Sequence, residues 1–309
     1  MIDPGVWPSE QPGPDDGAAL DPGLTGQSDR PVPGIDNGFV AGYRVRFDEA
    51  GPDGRVRTSA LLRYAQDVAW RHSEALGFDR RWYLERGRWW VVRAVDLEVL
   101  GPVAMGRTLR VSTAVTGHRR IWARRLADAR LAAGALAARI VTDWVMLDDR
   151  GRLVRIPQDF GLSFTNPELP GEILRVELPS GLPVASEIRF GVRPHDLDPM
   201  GHVNNAAYLD WVEEALEATG EGVATLPRRA RLEYLASAAP GDEIVVTTWR
   251  DGSAWAARIA RASGGELLRG IGRLGPRPAG EPDGKAPDAA AISDIAAPLG
   301  AIAGVPPLD

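Results

Sequence analysis

The residues best suited to chemistry lie together in one segment, Asp196-Leu197-Asp198-Pro199-Met200-Gly201-His202-Val203-Asn204-Asn205. It brings two carboxylates, an imidazole and two amides just ahead of an apolar helical pattern. Asp198 falls in the turn Asp198-Pro199-Met200-Gly201, where a short side chain can project into a cleft. A carboxylate there can take a proton from water or attack an acyl carbon itself, and the sequence leaves both roles open. Asn205 can cap the helix that follows. The first turn of any helix carries N–H groups with no intrahelical partner, so Val203, Asn204 and Asn205 stand where a developing oxyanion can be bound. Gly201 allows a close backbone approach. A ring N–H of His202 can orient the reacting group. Each residue alone has a plainer use: Asp-Pro as a turn, the histidine as packing, the asparagines as caps. Asp196 reads as structural and Asp198 as the acting carboxylate.

The composition removes several other chemistries. There is no cysteine in the 309 residues, which excludes a thiolate nucleophile, disulfides and cysteine metal sites. The histidines, His72, His118, His195 and His202, are too scattered to form a metal cluster, and no Gly-rich phosphate loop is present. No metal or cofactor is therefore expected. A net charge of −6 argues against nucleic acid or an anionic membrane as partner. Hydrophobic residues at 44% and charged residues at 25% describe an ordinary globular chain. The first thirty residues lack the apolar core of a signal peptide, and no stretch approaches the roughly 20 apolar residues of a membrane span. The expectation is a soluble cytoplasmic protein.

The middle of the chain reads as two similar halves. In the first, a strand at 39–47 leads to the turn Gly51-Pro52-Asp53-Gly54. A helix capped by Thr58 or Ser59 then runs to about Leu76. Leu61, Leu62, Ala65, Val68, Ala69 and His72 fall at helical spacing on it, and Gly77 stops it. Strand patterns follow at 89–99, 108–118, 121–128 and 136–147. The second half repeats the order: a strand at 187–193, the Asp198 turn, a helix at 206–218, and strands at 230–235, 243–249, 254–262 and 267–274. Gly54 and Gly201 align the halves at an offset of 147 residues, too long for a solenoid repeat. One helix before about four strands implies α+β architecture, with each half a curved antiparallel sheet wrapped around a central helix. The expected divisions are a disordered tail at 1–36, a first domain at 37–160, a surface linker at 161–184, a second domain at 185–275 and an Ala/Pro/Gly-rich tail at 276–309. Glu213 and Glu214 read as a solvated helix face. The pairs Arg80-Arg81, Arg119-Arg120, Arg124-Arg125 and Arg228-Arg229 read either as contacts for an anionic partner or as charged strand edges. Trp82, Trp89, Trp90, Trp122 and Trp144 read as core, with some available to line a pocket in the first half.

The pattern Asp-x-Asp-x-x-Gly-His-Val-Asn-Asn-x-x-Tyr, at Asp196 to Tyr208, resembles the signature of hot-dog-fold thioesterases. Trp90-Val91-Val92-Arg93, Trp144-Val145-Met146-Leu147-Asp148, Arg152-Leu153 and Pro157 resemble the N-terminal half of acyl-ACP thioesterases, which are tandem double hot-dogs. The resemblance covers about residues 38–275. It implies hydrolysis of a fatty acyl-ACP thioester, or an acyl-CoA, to a free fatty acid, with Asp198 and His202 catalytic. Three positions depart from the plant members. Met200 stands in place of an asparagine, and Ser237 and Ala238 stand in place of a Glu-Cys pair. Met200 and Ser237 are kept as further site candidates. In the first half Gly51, Arg55 and Arg57 stand opposite Asp198, His202 and Asn204, which implies one active site per chain and an acyl-binding role for that half. Two other readings remain: a non-catalytic acyl-binding protein, and an enoyl-thioester hydratase, whose Asp-to-His spacing is five against four here. The expected partner is an acyl carrier protein or CoA thioester, met by a monomer or homodimer.

Overall fold

The computed structural model describes residues 38–162, 172–220 and 222–275. Both tails, with the apolar patch at 289–302, and the linker residues 163–171 lie outside the described residues. The first half contains strands β1 (Phe39–Arg44), β2 (Arg88–Val99), β3 (Thr108–His118), β4 (Trp122–Leu131) and β5 (Leu136–Asp148). The second contains β6 (Val184–Gly191), β7 (Arg228–Tyr234), β8 (Glu243–Asp251), β9 (Ala254–Arg261) and β10 (Glu266–Leu274). All ten join in one antiparallel sheet, ordered β1-β3-β4-β5-β2-β7-β10-β9-β8-β6. The halves meet where β2 pairs with β7, from Ala94 opposite Glu233 to Val99 opposite Arg228.

Four helices are described: α1 (Thr58–Ala75), α2 (Arg80–Arg86), α3 (Gln158–Leu162) and α4 (Asn205–Glu217). The apolar stripe of α1 is buried at the positions that its spacing predicts, Leu61, Leu62, Ala65, Val68, Ala69 and His72. On α4 the buried set includes Ala206, Tyr208, Leu209, Trp211, Val212 and Leu216. Together these faces and the sheet face beneath them form one continuous core. The short α2 is not foreseen, because seven residues give too little periodicity. Its signals are local: the Asp79 side chain accepts from Trp82 N at 2.8 Å, and Gly87 ends it at φ +55°.

The turns before α1 and α4 share one backbone. Gly51 N donates to Arg55 O at 2.8 Å, and Asp198 N to His202 O at 2.7 Å. Arg57 N donates to Glu49 O at 2.9 Å, and Asn204 N to Asp196 O at 2.8 Å. Every partner in the second turn is 147 residues beyond its counterpart. Arg63 on α1 and Asp210 on α4 are equivalent in the same sense, and they form an ion pair at 2.8 Å.

Several sequence expectations need correction. Arg57, not Thr58 or Ser59, is the N-cap of α1, and it makes no side-chain cap. The Thr58 hydroxyl is instead drawn across to α4, where it donates to Glu213 Oε1 at 2.5 Å and accepts from Arg228 Nε at 2.8 Å. Glu213 is therefore not on a solvated face, and burial pushes its carboxyl up to about 7. Arg124-Arg125 and Arg228-Arg229 are not at strand edges, since both pairs sit on interior strands of the sheet. Arg229 and Arg231 converge on Asp96 across the β2–β7 seam, with contacts down to 2.6 and 2.5 Å. The described part of the linker crosses the surface tethered to the sheet, a contact that the sequence does not foresee. Arg124 binds Asp143 through two bonds of 2.7 and 2.8 Å, and the same carboxylate accepts from Leu174 N at 2.8 Å. Glu233 accepts from Arg93 Nη2 at 2.7 Å and from Val176 N at 2.8 Å. Ile173 packs on Trp122, Val145 and Leu147.

Asp143 is fully buried. Asp143→Ala strands the Arg124 guanidinium and the Leu174 N–H, and is expected to lower stability by about 3–5 kcal/mol. Urea unfolding measures this, and a loss under about 1 kcal/mol, typical of an exposed ion pair, would contradict it. Glu213 gives a pH test. Its folded pKa lies above its ordinary value of 4.5, so the unfolded chain ionises first as pH rises. Stability is therefore lost between pH 4.5 and about 7. Glu213→Gln should remove that fall, gaining on the wild type across this window in melting experiments. Parallel curves would refute the assignment.

Candidate active site

The Asp198 turn is built by its own side chain. Asp198 Oδ1 accepts from Met200 N at 2.9 Å and from His202 N at 3.2 Å. Gly201 closes the turn at φ +75°, a left-handed conformation that favours glycine. Its N–H donates to Asp198 O at 2.9 Å. Oδ2 meets no protein donor among the described residues. One oxygen of the carboxylate thus fixes the loop, and the other accepts no hydrogen bond from the described residues. Asp196 has only the structural part. It is buried and accepts from Arg193 N at 2.7 Å and Arg193 Nη2 at 3.0 Å.

The helix cap is one residue earlier than the sequence suggests. Asn204, not Asn205, is the N-cap of α4, with its Oδ1 accepting from Ala206 N at 2.9 Å. The pairing of Leu197 with Val203 brings the chain back so that Asn204 meets the helix end. Asn205 becomes the first helical residue, and its N–H is one of those that a helix leaves without an internal acceptor. The dipole of α4 concentrates partial positive charge at the same place.

These groups open onto one cavity of about 810 Å³. Asp198, Met200, His202, Val203, Asn204, Asn205 and Ser237 all line it; Gly201 does not, and serves the turn alone. His202 Nε2 is buried and has no hydrogen-bond partner among the described residues. Ser237 Oγ donates to Ala238 O at 3.1 Å. Tyr208, the last residue of the motif, also lines the cavity, and its hydroxyl accepts from Ala238 N at 2.7 Å. It thereby ties the segment carrying Ser237 to the first turn of α4. Tyr234 does the same from β7, donating to Asn205 O at 2.9 Å.

The cavity continues into the first half. Trp89, Trp90, Trp144, Tyr83, Phe160 and Arg125 are among the residues lining it there. Trp122 is instead in the separate cluster beneath the linker, and Trp82 packs on Phe78. Sequence reasoning missed Tyr83, because α2 was missed, and Arg125, because two adjacent arginines on a strand give no sign of which one points inward.

Asn204→Ala should cost about 0.5–2 kcal/mol of stability through loss of the cap, with Asn205→Ala costing much less. Equal effects in denaturant unfolding would argue for the other cap.

Comparison with known proteins agrees with this arrangement. Residues 36–163 match the family model of the acyl-ACP thioesterase N-terminal domain, and residues 182–262 match that of the C-terminal domain. An acyl-[acyl-carrier-protein] hydrolase of Cuphea viscosissima is 25% identical over 272 residues, covering 78% of this chain and 64% of that protein. Oleoyl-acyl carrier protein thioesterase 1 of Arabidopsis thaliana is 26% identical over 198 residues, covering 56% of this chain and 53% of that protein. The chain thus spans under two thirds of the length of these curated relatives. Among solved structures, the 12:0-ACP thioesterase from Umbellularia californica superposes with a TM-score of 0.68 at 22% identity, over 78% of this chain and 98% of that one. An acyl-ACP thioesterase from Bacteroides thetaiotaomicron gives 0.62 at 16% identity, over 77% and 98%. The fold is the tandem double hot-dog, and the chain belongs to the acyl-ACP thioesterase family.

Proposed function

We propose that this chain hydrolyses an acyl thioester carried by acyl carrier protein, releasing a free fatty acid and the carrier thiol. The observation that carries this reading is the shared cavity. Its second-half end holds a carboxylate oxygen, an orphaned imidazole nitrogen and a helix N-terminus. Its first-half end is an aromatic chamber, and the whole cavity of about 810 Å³ has room for an acyl chain. The family membership and the plant relatives named for acyl-ACP hydrolysis support the same substrate class.

In this reading Asp198 Oδ2 takes the proton from an attacking water, or attacks the thioester carbon to give an anhydride that water then opens. The carbonyl oxygen becomes an oxyanion facing the N-terminus of α4, where the Asn205 N–H has no internal acceptor. A donor of this kind is worth about 2.7–4 kcal/mol in one well-studied protease. The His202 ring holds the carbonyl or the water from the same side. Met200 contributes its backbone N–H to the Asp198 turn and an apolar side chain to the cavity wall. The second half is the catalytic domain and the first the acyl-binding domain. No helix among the described residues is long and apolar enough to cross a membrane, and we place the reaction in the cytoplasm.

Asp198→Asn tests the role cleanly. The asparagine Oδ1 can still accept from Met200 N and His202 N, so the turn survives while the base is lost. The expected fall in kcat is about 10²- to 10⁴-fold, with an unchanged melting temperature. A panel of acyl-ACP and acyl-CoA thioesters from medium to long chain provides the assay. Absence of turnover on every member with wild-type protein would favour the non-catalytic acyl-binding reading.

A further inference from the structure

The inner end of the cavity holds a buried cation without an anion. Arg125 on β4 is only 7% exposed and lines the cavity. Its neighbour Arg124 is held by Asp143 beneath the linker, whereas Arg125 turns to the helix side and donates from Nη1 to His72 Nδ1 at 2.9 Å and to Thr113 Oγ1 at 3.4 Å. Neither partner carries negative charge. Burial and the adjacent guanidinium hold His72 down to about 3, so its ring is neutral and Nδ1 accepts from Arg125. Among the described residues no carboxylate forms an ion pair with Arg125. Three other arginines on the same sheet do have one: Arg124 with Asp143, Arg93 with Glu233, Arg231 with Asp96. A guanidinium has five N–H donors, and these two bonds both use Nη1.

A second donor lacks a partner nearby. Trp144 lies on β5 opposite Ala123 of β4, two residues from Thr142, which is opposite Arg125. Its Nε1 is buried without a partner, and it too lines the cavity. Tyr83 and Ser73 bring neutral hydroxyls to this end of the chamber, but among the described residues no carboxylate pairs with its positive charge. This end is also remote from the reacting carbon. Three strand steps, β7 to β2 to β5 to β4, separate it from the strand leading to Ser237, a lateral distance of roughly 14 Å.

We propose that Arg125 and Trp144 form a subsite for the distal end of the acyl chain, and that the preferred acyl groups end in a carboxylate rather than a methyl group. The proposal rests on the hydrolase reading above for the position of the thioester. A carboxylate accepts from two guanidinium N–H groups at once and neutralises the buried charge, so it answers both deficits. An aliphatic terminus would leave the cation desolvated and unpaired, the arrangement that folded proteins avoid.

The test compares acyl-ACPs of equal length that end in methyl, hydroxyl or carboxylate. The carboxylate-ended member should have the highest specificity constant, by roughly tenfold to a hundredfold over the methyl-ended one. Arg125→Met should invert that order, and Arg125→Lys should retain part of it. A parallel titration of intrinsic tryptophan fluorescence compares free dicarboxylate with monocarboxylate of the same length. Tighter binding of the dicarboxylate to wild type but not to Arg125→Met supports the subsite even without turnover, in which case the hydrolase reading alone fails. Turnover with a preference for methyl-ended chains, unaltered in Arg125→Met, overturns the subsite and leaves the hydrolase reading intact. A highest rate for the hydroxyl-ended chain overturns the assignment to a carboxylate. Because Arg125→Met removes an uncompensated charge, its melting temperature should hold or rise. A marked fall would assign Arg125 to the scaffold and likewise overturn the proposal.

Discussion

The antiparallel pairing of β2 with β7 is the contact on which the rest of the molecule depends. It turns two five-stranded sheets into one ten-stranded sheet and removes two exposed edges that would otherwise invite other strands. The seam is reinforced on the face away from the helices, where Asp96 gathers Arg229 and Arg231 and Glu233 holds Arg93. On the helix side it sets the N-terminus of α4 and the Ser237 segment beside Trp90 and Trp144. A cavity with its reactive groups from one half and its aromatic walls from the other exists only because of that seam.

Within the site, economy of groups is the governing feature. Asp198 is asked to hold a turn and to offer an oxygen to the cavity, and the two oxygens divide the work. Equivalent positions in the first half show what is lost when only the turn is kept. Gly51 and Arg55 reproduce the same backbone hydrogen bonds with no carboxylate at the first position. A carboxylate braces that turn as well, but from a different position: Asp53 Oδ1 accepts from Arg55 N at 3.0 Å, as Asp198 Oδ1 accepts from His202 N at 3.2 Å.

Much of this was legible in the chain. The two helices, the succession of strands along each half and the 147-residue correspondence follow from local patterns of apolar residues and turn formers, whereas the place of β2 between β5 and β7 does not. What escaped was decided by contacts distant in sequence. Thr58 looks like a cap but is claimed by Glu213, 155 residues away. Asn204 and Asn205 are both good caps, and only the return of the chain through Leu197 and Val203 selects the first. Arg124 and Arg125 are identical as letters, yet the pleat sends one to Asp143 and the other to His72. The linker reads as a polar surface loop, and nothing in it signals that buried carboxylates on β5 and β7 accept from its backbone N–H groups.

The ion pair between Arg63 and Asp210 has a consequence for how such a molecule can be assembled. The two residues occupy the same position in their respective halves, on helices that face each other. In a dimer of identical subunits, that position would face its own copy across the twofold axis, arginine against arginine or aspartate against aspartate. Attraction there is available only to two halves with different sequences. Each half is accordingly specified as a match for the other and as a poor match for itself, so covalent fusion has made the pairing directional.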